Sequence, residues 1–165
     1  MSDLLWQPTK ERVENANVTR FREWVNEKYA LKLENFTELY DWSVAEIERF
    51  WPALIEYADL KAETWGDRVL IDGNKMPGAQ FFPDARLNFA ENLLRRRDDK
   101  TALIALREDG QRRTLTYAEL FEQVALLAAA MRQRGVVAGD RVAGFMPNTL
   151  ETVVAMLAAS SLGAI

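Results

Sequence analysis

Residues 114–165 constrain the fold more than any other part of the chain, because start and stop signals fall at almost every junction. Thr116-Tyr117-Ala118-Glu119 has the form of a capping box, in which the Thr116 hydroxyl accepts the Glu119 amide proton and the Glu119 carboxylate accepts that of Thr116. Leu115 and Leu120 stand where a hydrophobic staple belongs. Tyr117, Leu120, Phe121, Val124, Leu127, Ala128 and Met131 then recur at helical spacing until Gly135 supplies a left-handed stop. Gly139-Asp140 predicts a turn, and residues 141–146 a short apolar strand ended by Pro147-Asn148. Asn148 is expected to cap a second helix, with Glu151 three residues on. In that helix Leu150, Val153, Val154, Met156 and Leu157, with Ala155, Ala158 and Ala159, leave almost no polar face, which predicts burial on several sides. Gly163 stops it, and Ala164-Ile165 reads as the opening of another strand. A right-handed strand, helix, parallel strand crossover is therefore expected.

Upstream, residues 1–16 read as a polar N-terminal arm docking through Trp6. Asn17 is placed to cap a helix whose Val18, Phe21, Trp24 and Val25 form a core-facing stripe. Ser43-Val44-Ala45-Glu46 has capping-box form, which predicts a helix from Ser43, kinked or broken near Phe50 by Pro52; two short helices are the alternative. From residue 60 to 86 the helical period is lost, with a short strand at Val69-Leu70-Ile71 inside a long connection. Leu87, Ala90, Leu93 and Leu94 predict a short helix ending in Arg95-Arg96-Arg97, cations that suit its negative end. Residues 100–108 and 111–115 flank Asp109-Gly110, a two-residue hairpin signal of type I′.

The chain of 165 residues is 48% hydrophobic, enough for a core, and its formal charge of −4 provides no electrostatic footprint for nucleic acid. Cysteine and histidine are both absent. That removes disulfides, thiolate metal sites, the usual general base and every Ser-His-Asp or Cys-His arrangement. The N-terminus has no basic segment leading into an apolar core, and the longest apolar run is far shorter than a membrane span. A cytoplasmic protein with no membrane partner is the expectation.

Several words of the sequence carry a resemblance. Leu115-Thr116-Tyr117-Ala118-Glu119-Leu120, Gly139-Asp140-Arg141-Val142, Met146-Pro147-Asn148, Ala155-Met156-Leu157-Ala158 and Leu162-Gly163-Ala164 are similar to the opening of an adenylate-forming enzyme. Upstream, Phe36-Thr37-Glu38-Leu39-Tyr40-Asp41-Trp42-Ser43, Phe50-Trp51 and Leu87-Asn88-Phe89-Ala90-Glu91-Asn92-Leu93-Leu94 resemble the acetoacetyl-CoA synthetase branch more than the acetyl-CoA branch. The resemblance implies an α/β fold, in which residues 17–97 form a helical region with a long connection. Residues 98–165 would be the hairpin and first strand-helix units of an AMP-binding domain, cut short, so that the chain is the N-terminal quarter of such an enzyme. It also implies ATP, CoA and Mg2+ as cofactors and acetoacetate as the small-molecule substrate, activated as acetoacetyl-AMP with release of pyrophosphate before the CoA thiol displaces AMP. The family's Ser/Thr/Gly-rich ATP loop, acidic core motif and C-terminal catalytic Lys have no counterpart in residues 1–165. No catalytic, cofactor-binding or metal-ligating residue is therefore nominated. The piece itself is expected to be inactive, to bind no cofactor, and to be marginally stable, self-associating or loosely packed.

The residues were also searched for chemistry of their own. Gly73-Asn74-Lys75-Met76-Pro77-Gly78 has the outer spacing of a phosphate loop, but Ala79-Gln80 stand where Lys-Ser/Thr should follow. Glu46 with Glu48 and Glu119 with Glu122 are explained by capping and solvated helix faces, and Ser160-Ser161 by bonds back to helix carbonyls. The triple Arg reads as a solvated helix end balanced by Asp98 and Asp99, with phosphate or CoA binding as the alternative. Two other functional readings stand beside the first: a different short-chain acyl-CoA synthetase acting on acetate or propionate, and a non-enzymatic helical interaction module.

Overall fold

A computed structural model describes residues 5–165. It divides the chain into two units, Met1–Leu60 with Trp65–Ala85, and Lys61–Thr64 with Arg86–Ile165. Residues 1–4 of the expected polar arm lie outside the described residues.

In the first unit, Thr9 caps a short helix α1 (Lys10–Glu14), its hydroxyl accepting the Arg12 amide proton at 3.3 Å. None of the α1 residues is buried, so the arm has no apolar face with which to deliver Trp6. Trp6 remains 67% exposed under the Arg12 guanidinium, 5.6 Å from its ring, and does not dock as expected. Helix α2 (Asn17–Tyr29) follows with Ala16 at the N-cap and no side-chain cap. The Ala16 carbonyl accepts the amides of Thr19 and Arg20, which draws Asn17 inside the helix rather than at its cap. Phe21 and Val25 are buried as the stripe predicts, whereas Val18 stays 44% exposed.

The next helix does not start at Ser43. Asn35 caps α3 (Phe36–Ala45), its side-chain oxygen accepting the Glu38 amide at 3.0 Å, while Glu38 accepts the Glu34 amide at 2.7 Å. Ser43 lies inside α3 and donates its hydroxyl to the Tyr40 carbonyl at 2.7 Å. Starting at Asn35 puts Leu39 and Trp42 three residues apart on one face, where both are buried with Phe21 and Val25. The break falls at Glu46 (φ −117°, ψ 50°), and α4 (Ile47–Tyr57) runs unbroken through Phe50 and Pro52, so the break expected near Phe50 lies instead at Glu46, where α3 ends. The core of this unit is aromatic: the Phe21 ring centroid lies 5.1 Å from Tyr57 and 6.0 Å from Phe50, and Trp42 lies 5.9 Å from Phe50. Strand β1 (Leu70–Ile71) sits where the sequence placed one and pairs antiparallel with β2 (Gln80–Phe81), Leu70 against Phe81.

In the second unit, α5 (Phe89–Leu93) is capped by Asn88, whose oxygen accepts the Glu91 amide at 3.1 Å. Strands β3 (Thr101–Leu106) and β4 (Arg112–Thr116) form the expected hairpin, with Leu103 against Leu115 and Leu106 against Arg112. Its turn is not of type I′. Gly110 alone has positive φ (81°), the Gly110 amide bonds the Arg107 carbonyl at 3.0 Å, and the Arg107 amide bonds the Gln111 carbonyl at 3.0 Å. That is a three-residue loop, a type I turn closed by a left-handed glycine, because Asp109 does not take the positive φ that I′ demands.

Helix α6 (Tyr117–Gln133) carries the full capping box, with Thr116 Oγ1 accepting from Glu119 N at 3.1 Å and Glu119 Oε2 from Thr116 N at 2.8 Å. The flanking Leu115 and Leu120 are both buried, as a staple requires. Helix α7 (Leu150–Ser161) packs Leu150, Val154, Leu157 and Ala158 into the same core as Val124 and Ala128 of α6. Its burial is one-sided, since Met156 is 50% exposed. Residues 141–146 form no ladder and are exposed throughout, contrary to the strand reading. A strand is stabilised by neighbours distant in sequence, and here Ile165 gives two such bonds, its amide bonding the Asp140 carbonyl at 2.7 Å and its carbonyl accepting the Val142 amide at 2.8 Å.

Candidate functional site

The most developed polar constellation lies where β4 meets the start of α7. Thr149, with extended φ −122° and ψ 174°, is the N-cap of α7, so the cap is one residue later than Asn148. The Pro147 carbonyl explains the shift: it accepts the Thr149 amide at 2.8 Å and the Thr152 hydroxyl at 2.6 Å, fixing the turn so that Asn148 precedes the cap. Glu151 is then the second helical residue, and Arg113 of β4 donates to its carboxylate at 2.6 Å. Its pKa is lowered from 4.5 to about 2, chiefly by the Arg113 guanidinium and further by its own backbone amide and the Thr149 side chain. An open cleft of about 800 Å³ runs beside the pair, lined by Arg107, Asp109, Arg113, Asn148 and Thr149 among others.

A carboxylate held that far below neutrality is a poor proton acceptor, so Glu151 is unsuited to general-base work. With Arg113 matched to it, the pair ties the hairpin to α7. Among the described residues no group of three or more acidic side chains stands close enough to hold a metal ion. Among the described residues no such donor cluster is assembled for Mg2+, and no step through it is assigned to them.

The other residues weighed for chemistry fall into structural roles. Gly73 and Gly78 lie in the connection between β1 and β2, where Lys75 donates to Asp72 at 2.8 Å and no helix begins, as a phosphate loop would require. Arg96 bonds Asp98 at 2.9 Å and lies 5.2 Å from the Tyr117 ring, and the Arg97 guanidinium stacks 3.6 Å from the Phe121 centroid. Glu46 pairs with Arg49 at 3.6 Å, Glu119 belongs to the capping box, and Ser161 bonds back to the Ala158 carbonyl at 2.7 Å. An apolar cleft of about 390 Å³ lies between α2, α3 and α4, lined by Phe21, Phe36, Leu39, Tyr40 and Phe50 with neighbours.

Sequence reasoning missed two asparagine clamps. Asn26 donates to the Leu33 carbonyl and accepts its amide, both at 2.9 Å, and Asn92 does the same with Lys61 at 2.9 Å. Each gives a loop the two bonds that a strand neighbour would have supplied. No helix among the described residues is long and apolar enough to cross a membrane.

Comparison with known proteins places this geometry. Residues 36–93 match the family model "Acetyl-coenzyme A synthetase N-terminus", and residues 89–165 match "AMP-binding enzyme". The chain is 44% identical over 161 residues to an acetoacetyl-coenzyme A synthetase of Rhizobium meliloti (strain 1021), covering 98% of this chain and 25% of the relative. It is 42% identical to an acetoacetyl-CoA synthetase of Gallus gallus, covering 99% and 25%. A solved structure of acetoacetyl-CoA synthetase from Streptomyces lividans superposes with a TM-score of 0.89 at 43% identity, over 99% of this chain and 26% of that one. The chain thus spans about a quarter of the length of the curated relatives it matches. Over nearly all of its length, this chain is a homologue of the N-terminal part of the acetoacetyl-CoA synthetases, among the AMP-binding enzymes.

Proposed function

We propose that this chain is the N-terminal part of an ATP-dependent acid:CoA ligase that makes acetoacetyl-CoA from acetoacetate, ATP and CoA, with Mg2+ as the accompanying cation. The supporting observation is the 44% identity to an acetoacetyl-coenzyme A synthetase across 98% of the chain. In this reading acetoacetate attacks the α-phosphorus of ATP, giving acetoacetyl-AMP and pyrophosphate, and the CoA thiol then displaces AMP. Residues 1–165 supply scaffold: a helical region over residues 17–97 and, over 98–165, the opening of the AMP-binding domain, in a cytoplasmic enzyme. They contribute no catalytic residue, and the 165-residue chain alone is inactive. Activity belongs to the chain completed to the length of its relatives.

The test is ATP-dependent AMP and pyrophosphate release by that completed chain with acetoacetate, acetate and propionate compared at equal concentration. Preference for acetoacetate supports the reading, with no AMP from residues 1–165 alone. AMP formation from acetoacetate by the 165-residue chain would overturn its assignment as scaffold. Equal or better turnover of acetate would favour a second reading, an acetyl- or propionyl-CoA synthetase. The match of residues 36–93 to an acetyl-coenzyme A synthetase N-terminus keeps that reading open.

A further inference from the structure

The chain contains two Asp-Gly pairs, Asp72-Gly73 and Asp109-Gly110. In such a pair the glycine nitrogen can reach the preceding side-chain carboxyl, because glycine has no Cβ to hinder the approach. The fold treats the two pairs oppositely. In the β3–β4 turn the Gly110 amide donates to the Arg107 carbonyl at 3.0 Å, Asp109 Oδ1 accepts the Gln111 amide at 3.0 Å, and Asp109 Oδ2 lies 3.5 Å from the Arg107 guanidinium. Nitrogen and carboxyl are each engaged elsewhere. In the connection between β1 and β2, Asp72 and Gly73 are both exposed, and the Gly73 amide has no acceptor among the described residues. Asp72 stands at φ 54°, a left-handed conformation that few residues other than glycine adopt. A Cβ at position 73 would lie 2.5 Å from Leu70 Cδ2, so a larger residue there would have to displace the Leu70 side chain. The packing of Leu70 thus favours the residue that leaves Asp72 open to attack. Lys75 restrains the Asp72 carboxyl, its Nζ donating to Oδ2 at 2.8 Å, and its amide donates to the Asp72 carbonyl at 2.8 Å.

We propose that Asp72 is a site of spontaneous conversion to isoaspartate, reacting ahead of Asp109. The Gly73 nitrogen attacks Cγ of the protonated Asp72 carboxyl. The N–Cγ bond forms, the Cγ–OH bond breaks, and the hydroxyl leaves with the amide proton as water, giving a cyclic imide. Water then adds to one of the imide carbonyls. Addition at Cγ breaks the new N–Cγ bond and restores aspartate. Addition at the main-chain carbonyl carbon of Asp72 breaks its bond to the Gly73 nitrogen, so that the chain runs on through Cβ and Cγ and the former main-chain carboxyl becomes the side group. The water lost in the first step is regained in the second, and no other reactant is needed. Conversion inserts one main-chain carbon between β1 and β2, whose register sets Leu70 against Phe81. The residue that stood at left-handed φ gains an extra torsion with which to relax.

The test incubates the 165-residue chain at neutral pH, folded and in urea. Isoaspartate is then labelled by methyl transfer from S-adenosylmethionine with an isoaspartyl methyltransferase, and the label is located by peptide mapping. In urea, where neither pair keeps its native hydrogen bonds, both sites should convert at similar rates. In the folded chain Asp72 should convert at least ~10-fold faster than Asp109, because the hydrogen bonds of the hairpin turn must open before its nitrogen and carboxyl can meet. Lys75→Ala frees the carboxyl to turn toward the Gly73 nitrogen and should raise the rate at Asp72 at least ~2-fold, the scale of an exposed ion pair, while Asp109 is unchanged. Asp72→Glu keeps the charge but lengthens the side chain beyond the favourable ring, and should abolish label on that peptide. Equal rates at the two sites in the folded chain, or label on Asp109 first, would overturn the proposal. Label on neither site over the time in which both convert in urea would do the same. So would label persisting on the residue 72 peptide of Asp72→Glu, which would place the reaction at another residue, and so would slower conversion at Asp72 in Lys75→Ala.

Discussion

Replacing Glu151 by Gln isolates the charge in the contact between β4 and α7, because Gln keeps the shape and one acceptor oxygen. A carboxylate at about 2 in the folded chain against 4.5 for the ordinary group corresponds to about 3 kcal/mol, were it fully realised. Solvent screening reduces that figure strongly. The Arg113 and Glu151 side chains are 51% and 48% exposed, and pairs this open contribute about 0.2–1 kcal/mol. The position of Glu151 in the first turn of α7 adds about 0.3–1 kcal/mol against the helix dipole. We expect E151Q to cost about 1 kcal/mol at pH 7, a sum in which screening outweighs the nominal shift. The sign follows from a depressed folded-state pKa: the contribution is complete above about pH 4.5 and is lost as pH falls toward about 2. Urea unfolding followed by far-UV circular dichroism at pH 7, 4 and 2 reads it. All five tryptophans, Trp6, Trp24, Trp42, Trp51 and Trp65, belong to the first unit, so tryptophan fluorescence supplies a control transition that E151Q should not move. A deficit of E151Q that is as large at pH 2 as at pH 7, or absent at pH 7, would refute the ion-pair account.

Leu157→Ala should destabilise the second unit by about 2–4 kcal/mol, since Leu157 is 2% exposed in the core shared by α6 and α7, and circular dichroism melts should show a transition that fluorescence does not. Asn35→Ala should cost the first unit about 1 kcal/mol by removing the cap of α3. Ser43→Ala should change it by less than ~0.5 kcal/mol, and fluorescence-detected urea unfolding separates the two. Gly163→Ala meets both a left-handed φ of 73° and a Cβ placed 3.1 Å from that of Ala138, so a loss of more than ~1 kcal/mol is expected in the same circular dichroism assay.

These contrasts show which parts of the fold were legible in the sequence. Helix α6 was, because its cap, staple and periodic face all name the same start, and each acts within a few residues. Helix α3 was not, because Asn35 to Glu38 and Ser43 to Glu46 are both capping patterns, and the choice between them is made by Leu39 and Trp42 burying against Phe21 and Val25 from another helix. Residues 141–146 have strand composition, but ladder formation depends on partners that local pattern cannot report. The polar constellation was hidden for the same reason. Arg113 and Glu151 lie 38 residues apart, and the Asn92 clamp spans 31.

Under the proposed ligase reading, the carboxylates bear on how substitutions in this region would act in a chain of the relatives' length. Glu38 and Glu119 are held by helix-cap amides, Glu46 and Glu151 by arginines, and none is paired with another acid in a cleft. Glu151, whose carboxyl Arg113 holds well below the usual carboxylate range, stabilises the fold by staying ionised, which is the opposite of what a proton-transfer group needs near neutrality. Loss of Glu119 or Glu151 should therefore lower the folded fraction of a completed enzyme on heating, in proportion to the roughly 1 kcal/mol each contributes, while the pH profile of kcat keeps its shape. A displaced limb in that profile for either variant would mean that the N-terminal scaffold reaches the reacting atoms after all.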